Sequence, residues 1–233
     1  MSDAGQVSIM TVGMAGPGVG AVNVPGTGRR FLAANPWTIG IPAAGGDVLV
    51  DVSTSAVAEG KVRVARDAKK PLPSGALIDT HGVATNEAED FYAGGSILPL
   101  GGDIAVHKGY GLALASAAVG ALSMVGDDDP TMAGASSVSG DDNTGRIAGV
   151  TIVAIDLAVF GGEESYRQLI GASTSAIRNF PPRSDVAPVV PGEPERRSKQ
   201  QRCDEGIELP IATVERLNRV ATDHGVEPIT LGA

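Results

Sequence analysis

Short runs of β-branched and aliphatic residues, separated by glycine and proline, dominate the first quarter of the chain. They cover residues 7–12, 38–41 and 48–52. Runs of this length, bounded by glycine and proline, are typical of strands joined by tight turns. We therefore expect three strands here. A short helix over residues 60–68 should follow, before Pro71, Pro73 and Gly75 enforce an extended path.

The pattern changes after residue 80. Residues 80–102 predict mostly loop, whereas residues 108–122 form a proline-free segment of small apolar side chains that predicts a buried helix. Residues 126–145 carry no hydrophobic periodicity and predict a solvated acidic loop. A strand is expected over residues 147–155, and an amphipathic helix from residue 162 or 163 to 179.

The last fifty residues are punctuated by Pro181, Pro182, Pro188 and Pro191, which predict an extended segment. Residues 194–205 are charged and compatible with a helix. Residues 210–224 predict a final helix that Gly225 ends; its apolar face comprises Ile211, Val214, Leu217 and Val220.

Strands come first, helices are interspersed, and regular βαβ alternation is absent. This order predicts an α+β fold with a mixed sheet and packed helices rather than a doubly wound sheet. We expect a central α+β cofactor-binding domain over residues 1–160 and a C-terminal helical segment over residues 161–233 that packs on it.

Charge limits the choice of partners. With 27 acidic and 18 basic side chains the net charge is −9. A nucleic-acid partner is not expected, because a duplex is bound by neutralising its phosphates with Lys and Arg. Solubility is the favoured reason for the acidic surface, with steering of a cationic ligand as the alternative.

The location of the protein is predicted from cysteine usage and from the apolar runs. Cys203 is the single cysteine, so an intramolecular disulfide is impossible and a reducing cytoplasm is expected. No signal peptide is expected at the first residues, and no apolar run approaches the roughly 20 residues of a membrane span. No residues have metal-ligand spacing, so we expect no metal site.

Glycines at positions 13, 16, 18 and 20 follow the first predicted strand. A dinucleotide fingerprint of the Rossmann type needs G-x-G-x-x-G opening a helix, so that the amides at the helix N-terminus meet the pyrophosphate. Here Pro25 interrupts any long helix. The glycines therefore predict a plain turn.

Five short motifs occur in order along the chain. They are Asn-Pro-x-x-x-Gly-x-Pro at residues 35–42, Asp-x-Ser-Thr-Ser at 51–55, Leu-Pro-Leu-Gly-Gly at 98–102, Lys-Gly-Tyr-Gly-Leu at 108–112 and Pro-Gly-Glu-Pro-Glu at 191–195. Together, with their separations, they resemble the malate/L-lactate dehydrogenase-like family, which includes sulfolactate and ureidoglycolate dehydrogenases.

The resemblance implies hydride transfer between NAD or NADP and a small 2-hydroxy or 2-oxo acid, in a homodimer with a dinucleotide fold unlike Rossmann's. Three segments of this chain match family segments that contact the cofactor. They comprise Asp51, Val52 and Ser53, then Lys108, and finally Gly192, Glu193 and Pro194.

The residues themselves leave other interpretations open. Lys108 could meet a phosphate as a point charge or be a surface lysine that caps a turn. Ser53, with the two hydroxyl residues after it, could contact a ligand or cap a helix ahead of Ala56. Gly192 could close on a nucleotide or form an ordinary turn.

The chain also departs from the family. Members carry roughly a hundred further residues upstream, with the acid/base histidine, a difference beyond loop variation. The polar residues of the family pattern are replaced at residues 16–18 and 33–34. His107 is the one histidine beside the expected cofactor site, whereas His81 and His224 read as surface residues. We therefore expect either an active dehydrogenase, whose base is His107 or comes from a partner subunit or a separately encoded N-terminal part, or a truncated, inactive homologue that at most binds nucleotide.

Overall fold

The computed structural model describes residues 4–124, 147–183, 186–209 and 211–230. Within these ranges nine strands form one mixed sheet in the order β5-β4-β1-β3-β2-β8-β6-β7, with β9 also paired to β1. The strands are β1 Gln6–Ala15, β2 Val22–Asn23, β3 Arg30–Leu32, β4 Trp37–Ile41, β5 Val48–Val52, β6 Leu77–Ile78, β7 Ala84–Thr85, β8 Ser96–Ile97 and β9 Ile147–Asp156.

Six helices accompany the sheet in the same ranges. They are α1 Glu59–Asp67, α2 Ala88–Tyr92, α3 Gly102–Gly120, α4 Glu163–Arg178, α5 Glu193–Glu205 and α6 Ile211–Asp223. The β2–β8 pair is parallel and the other strand pairs are antiparallel. The predicted α+β class with a mixed sheet is confirmed.

Helix α3 lies directly on the strands β1 and β9. A Cβ added at Gly13 would come closer than 3.0 Å to the carbonyl oxygen of Ser116, and one added at Gly149 would do the same at Gly120. Gly13 and Gly149 are register partners and therefore lie on the same face of the sheet. The backbone of α3 can touch the sheet only because these positions lack side chains.

The hydrophobic core lies where α1, α2 and α3 meet the sheet. Its members are almost fully buried and belong to one cluster that includes Val22, Leu32, Val62, Leu77, Phe91, Ile97, Ala113 and Ala117. Few of these side chains are aromatic, as the composition of the chain requires.

Several expected elements agree with the structure, including α1, β9, α4 and α6, and two do not. Residues 80–102, expected as loop, contain β7, α2 and β8. Their strands have two residues each, too few for an alternating pattern to reveal them. The helix α3, expected to be buried, exposes Leu112 and Leu114 and buries mainly Gly109, Ala113 and Ala117. The expected acidic loop 126–145 lies outside the described residues.

The chain divides into two compact units, residues 1–192 and 193–233. The second unit contains α5 and α6. In α6 only Val214 of the predicted apolar face is buried, whereas Ile211, Leu217 and Val220 are exposed. The division into a cofactor-binding domain and a helical segment after residue 160 stays a prediction.

Candidate cofactor site at the end of strand β5

Two of the three predicted cofactor segments meet at Leu100. Its backbone N–H donates to the carbonyl of Thr54 over 2.8 Å, and its carbonyl accepts from the N–H of Gly109 over 3.2 Å. Ser53 and Lys108 are the chain neighbours of those two partners. A Cβ at Gly109 would come closer than 3.0 Å to the backbone of Leu100, so glycine is required for this approach.

The indole of Trp37 makes a second connection between β5 and α3. Its Nε1 donates to the carbonyl of Leu112 over 3.2 Å. Trp37 is the register partner of Val52, so the side chain of Val52 lies on the face of the sheet that α3 covers. Val52 is nevertheless 45% exposed, which leaves an apolar surface beside the start of the helix.

Asp51 points to the opposite face. Its register partner is Thr38, whose hydroxyl donates to the Asp51 carboxylate over 3.0 Å. Successive strand residues alternate between faces, so Asp51 and Val52 cannot present their side chains to the same ligand. The carboxylate is also kept away from Lys108.

The hydroxyls that follow β5 make local hydrogen bonds. Thr54 Oγ1 donates to the carbonyl of Ala34 over 2.9 Å, and Ser55 Oγ donates to the carbonyl of Val57 over 2.8 Å. Ser53 and Ser55 share a hydrogen bond between their hydroxyls. Thr54 and Ser55 are buried and Ser53 is half-buried, which leaves Ser53 as the one of the three that can reach a ligand.

Helix capping does not explain these hydroxyls. Helix α1 begins at Glu59, and Ala58 is its N-cap residue without a side-chain hydrogen bond. The alternative interpretation of a cap ahead of Ala56 is therefore wrong. These hydroxyl residues instead form hydrogen bonds that hold the end of β5 against the chain around Asn35.

Asn35 supports the site in a way that the sequence analysis missed. Its φ is 37°, in the left-handed region, and the side chain is buried. Its Oδ1 accepts from the N–H of Met14 and its Nδ2 donates to the carbonyl of Ala113, both over 2.9 Å. One amide thus joins β1 to α3. The Asn-Pro pair was the available signal, because Asn tolerates this conformation better than most residues.

His107 and Lys108 occupy consecutive exposed positions near the start of α3. Neither side chain forms a hydrogen bond or an ion pair with any residue in the described ranges. An unpaired ammonium beside a glycine-rich turn is a suitable donor for an anionic ligand group. Among the described residues no carboxylate orients His107 in the way that commonly holds a catalytic histidine.

Gly192 lies beside β5 because its neighbour Pro191 hydrogen-bonds to that strand. The carbonyl of Pro191 accepts from the N–H of Leu49 over 3.0 Å, and Gly192 adopts φ 93°. Glu193 and Pro194 begin α5 in the second unit. There Glu193 is buried and lies 3.8 Å from Arg197 in an ion pair, whereas Pro194 is exposed. The left-handed φ fits a turn and leaves both interpretations of Gly192 open.

The available donors fit part of a nicotinamide dinucleotide. Its pyrophosphate requires cationic or N–H donors, and Lys108 supplies a cationic donor close to Leu100. The exposed aliphatic surface of Val52 suits an uncharged ring. In the described part of the chain no three His, Cys, Asp or Glu side chains are grouped to hold a metal ion.

A separate cavity lies at the other side of the first turn of α3. It has a volume of about 470 Å³ and is bordered by the turns 25–28 and 80–82. His81, interpreted as a surface residue, is exposed and lines its rim. In the sequence, the signal for this cavity was the pair of glycine-containing turns. Hydrophobic periodicity does not show that the two turns lie close together. No helix in the described ranges is long and apolar enough to cross a membrane.

Comparison with known proteins identifies relatives along nearly the whole chain. The family model described as malate/L-lactate dehydrogenase matches residues 1–218. The chain is 31% identical to the malate/(S)-sulfolactate dehydrogenase of Methanothermus fervidus over 198 residues, which is 84% of this chain and 54% of that protein. It is 30% identical to hydroxycarboxylate dehydrogenase B of Escherichia coli, over 99% of this chain and 61% of that protein.

Solved structures agree on the fold. The sulfolactate dehydrogenase of Methanocaldococcus jannaschii superposes with a TM-score of 0.72 at 24% identity, over 97% of this chain and 61% of that one. The chain spans little more than half the length of the malate/(S)-sulfolactate and L-sulfolactate dehydrogenases that it matches. The family match over residues 1–218 and the shared fold lead to one conclusion: the chain belongs to the malate/L-lactate dehydrogenase family.

Proposed function

We propose that this chain forms the cofactor-binding part of an oxidoreductase that interconverts a small 2-hydroxy acid and its 2-oxo acid with NAD or NADP. The relatives carry the names of malate, sulfolactate and hydroxycarboxylate dehydrogenases. The observation that carries the proposal is that Thr54 and Gly109, the chain neighbours of Ser53 and Lys108, both hydrogen-bond to the backbone of Leu100.

Each residue of the site has a distinct part in the proposal. When bound, the nicotinamide supplies hydride chemistry. Lys108 holds an anionic group of the cofactor, and Gly109 lets the helix approach Leu100 closely enough to position that lysine. Ser53 contacts the ligand with its hydroxyl or backbone, and Asp51 contributes its backbone alone, because its carboxylate faces away. Gly192, at the turn that precedes α5, contacts the nucleotide in this proposal.

A proton acceptor is also needed, because a 2-hydroxy acid must lose its hydroxyl proton when it is oxidised. His107 is the candidate within this chain. Alternatively, the base belongs to a partner subunit or to a separately encoded N-terminal part. The exposed, unpartnered ring of His107 favours a second candidate function, an inactive homologue that binds nucleotide without turnover.

Two further parts of the proposal concern the oligomeric state and the location of the enzyme. A homodimer is proposed, since the sheet presents an apolar face formed by Val12, Val150 and Ile152. A cytoplasmic location fits the single, exposed Cys203.

Turnover tests the proposal directly. Oxidation of NADH and NADPH by the purified chain would be followed against a panel of 2-oxo acids, at low and at molar salt. We expect turnover with at least one acid, and its loss in Lys108→Ala. Lys61→Ala is the matched control, because Lys61 is also an exposed helical lysine. A lower kcat with an unchanged KM in His107→Ala would identify His107 as the base.

Two outcomes would contradict the proposal of an active enzyme. Absence of turnover with every acid, while NADH still binds, would favour the nucleotide-binding homologue. Equal activity in Lys108→Ala and Lys61→Ala would show that the cofactor site lies elsewhere.

A further inference from the structure

Strand β9 forms an edge of the sheet within the described residues. It pairs with β1 over its whole length, Ile147–Asp156, without a register shift, and no other described strand pairs with it. At roughly 3.4 Å per residue, a strand of this length spans about 30 Å. The edge is therefore long and regular.

The peptide groups of every second β9 residue point away from β1. The N–H of Val12 donates to the carbonyl that precedes β4, so Val12 turns its peptide groups toward β4. Its neighbour Thr11 turns them toward β9, because successive residues of a strand alternate in this direction. Thr151 is the register partner of Thr11 and faces back to β1. Val150 and Ile152, on either side of Thr151, therefore point to the open edge.

The outward peptide groups of Val150 and Ile152 have no hydrogen-bond partner among the described residues. The other edge strands are protected. On β5 the N–H of Leu49 donates to the carbonyl of Pro191, and β7 has only two residues. Natural sheets commonly protect their edges with covering contacts, charges, prolines or short strands. The edge of β9 has none of these protections, because residues 147–155 contain neither a charge nor a proline.

A second copy of β9 is complementary to this edge. In an antiparallel pair with a two-fold axis at Thr151, the centre of the uncharged run, Val150 lies opposite Ile152 of the partner subunit. Both residues point outward, so their N–H and carbonyl groups can bond to each other. Their side chains lie on the uncovered face, where β-branched residues stabilise each other across strands.

The charges of the chain also permit this pairing. The net charge of −9 opposes association, yet the uncharged run brings no charged side chain to the contact. Asp156 follows that run at the end of the strand, so the two Asp156 carboxylates lie at opposite ends of the pair, about 30 Å apart. This separation exceeds the Debye length of about 8 Å at physiological salt. A two-fold pair also uses up the open edge of both copies, so the assembly closes as a dimer.

We propose that β9 pairs antiparallel with β9 of a second copy of this chain, centred on Thr151, so that two copies form one continuous sheet in the order β5-β4-β1-β9-β9-β1-β4-β5. The inference rests on the homodimer of the proposed function and assigns its contact. Val150 and Ile152 of each copy form backbone hydrogen bonds with Ile152 and Val150 of the partner subunit.

Amide hydrogen exchange of the full chain over a concentration series tests the pairing residue by residue. Sedimentation velocity on the same samples gives the fraction of dimer. We expect the N–H groups of Val150 and Ile152 to exchange about tenfold or more slowly in the dimer than in the monomer, because they become hydrogen-bonded. The N–H groups of Thr151 and Val153 point to β1 in both states and should not respond to concentration.

A cysteine at the two-fold axis tests the register. Thr151→Cys, on a Cys203→Ser background, places two thiols at a non-hydrogen-bonded pair with Cα atoms about 4.5 Å apart, a distance that permits a disulfide. We expect oxidation with copper phenanthroline to give a covalent dimer. Val153→Cys on the same background is the matched control. Val153 is 46% exposed and lies on the same face as Thr151, but its two copies would be roughly 14 Å apart, too far for a disulfide.

Four results would overturn the inference. Fast exchange at Val150 and Ile152 in a dimer would show that the copies meet at another surface. Slow exchange in a monomer would show that the edge is paired within the chain. A chain that is monomeric at every concentration would leave β9 without a second copy, and equal cross-linking of Thr151→Cys and Val153→Cys would contradict the register. None of these measurements requires NADH or an oxo acid, so an inactive chain can still support the pairing and an active chain can still refute it.

Discussion

The two faces of the strands β9, β1, β4 and β5 are built in opposite ways. One face meets α3 through Gly13 and Gly149, where an added Cβ would overlap the backbone of the helix. The other face presents Val12, Val150 and Ile152, each more than a third exposed. The same strands therefore form a tightly packed face and an uncovered apolar one.

This difference shows how side chains of one strand can serve separate purposes. On the covered face glycine removes side chains so that backbone atoms meet, and Asn35 and Trp37 hydrogen-bond to carbonyls of α3. On the uncovered face of β1 and β9 the exposed side chains of Val12, Val150 and Ile152 are large and aliphatic, as at surfaces that associate. The covered face should determine stability, and the uncovered face should determine association.

The largest effect is expected for Gly13→Ala. Its Cβ would overlap the carbonyl of Ser116, so α3 must move away from β1, at a cost of about 2–4 kcal/mol in the free energy of unfolding. Gly60→Ala is the control, because nothing lies within 4 Å of a Cβ there and helix propensity should raise stability by about 0.5–1 kcal/mol. Denaturant unfolding measures both. Equal stabilities of the two variants would contradict the close packing.

Asn35→Ala should have the next largest effect. It removes the two hydrogen bonds that join β1 to α3, leaves the N–H of Met14 without this partner, and places Ala in a left-handed conformation. We expect a loss of roughly 2–3 kcal/mol in the free energy of unfolding. Asn86→Ala, at a half-buried loop position, serves as the comparison. A smaller loss of unfolding free energy than in Asn86→Ala would show that Asn35 does not stabilise the contact between β1 and α3.

Ile152→Lys changes the uncovered face without touching α3. Because Ile152 is 53% exposed, stability should change by less than about 0.5 kcal/mol, whereas self-association should weaken. Sedimentation velocity over a concentration series measures the association. Val83→Lys adds the same charge at an exposed position outside this face. If both variants associate equally, the face is not the contact surface.

The smallest expected effect is a change in stability at acid pH, at a turn that belongs to neither face. Hydrogen bonds from the backbone of Val83 and, less strongly, of His81 lower the pKa of Asp79 below its usual value of 3.8, against partial desolvation. The carboxylate therefore stabilises the turn above pH 3.8, and this contribution is lost as the pH falls through the lowered pKa. Thermal unfolding of Asp79→Asn, which keeps an acceptor, should depend less on pH below 4 than the parent chain. An unchanged acid slope would contradict this assignment.

The sequence predicted the long elements well, because β1, β9, α4 and α6 carry enough residues for a period to be recognised. It failed over residues 80–102, where strands of two residues are stabilised by their neighbours in the sheet. Gly13 was placed in a turn although it lies inside β1. A glycine in a strand resembles a turn signal until the helix that packs on it is known.

The cofactor role of Ser53 and Lys108 stays a prediction. Their chain neighbours Thr54 and Gly109 both hydrogen-bond to Leu100. The direction of Asp51 and the role of Asn35 depend on strand pairing across the sheet, which one sequence does not reveal. The cavity bordered by residues 25–28 and 80–82 also depends on turns that are distant in the chain.

Binding of NADH to the parent chain, to Lys108→Ala and to Lys61→Ala, followed by nucleotide fluorescence, tests whether Lys108 holds the cofactor. We expect that the parent and Lys61→Ala bind equally and that Lys108→Ala binds on the order of tenfold more weakly, because a charged hydrogen-bond donor is lost. Binding that is unaffected by Lys108→Ala, or absent from the parent chain, would contradict a cofactor site at the end of β5.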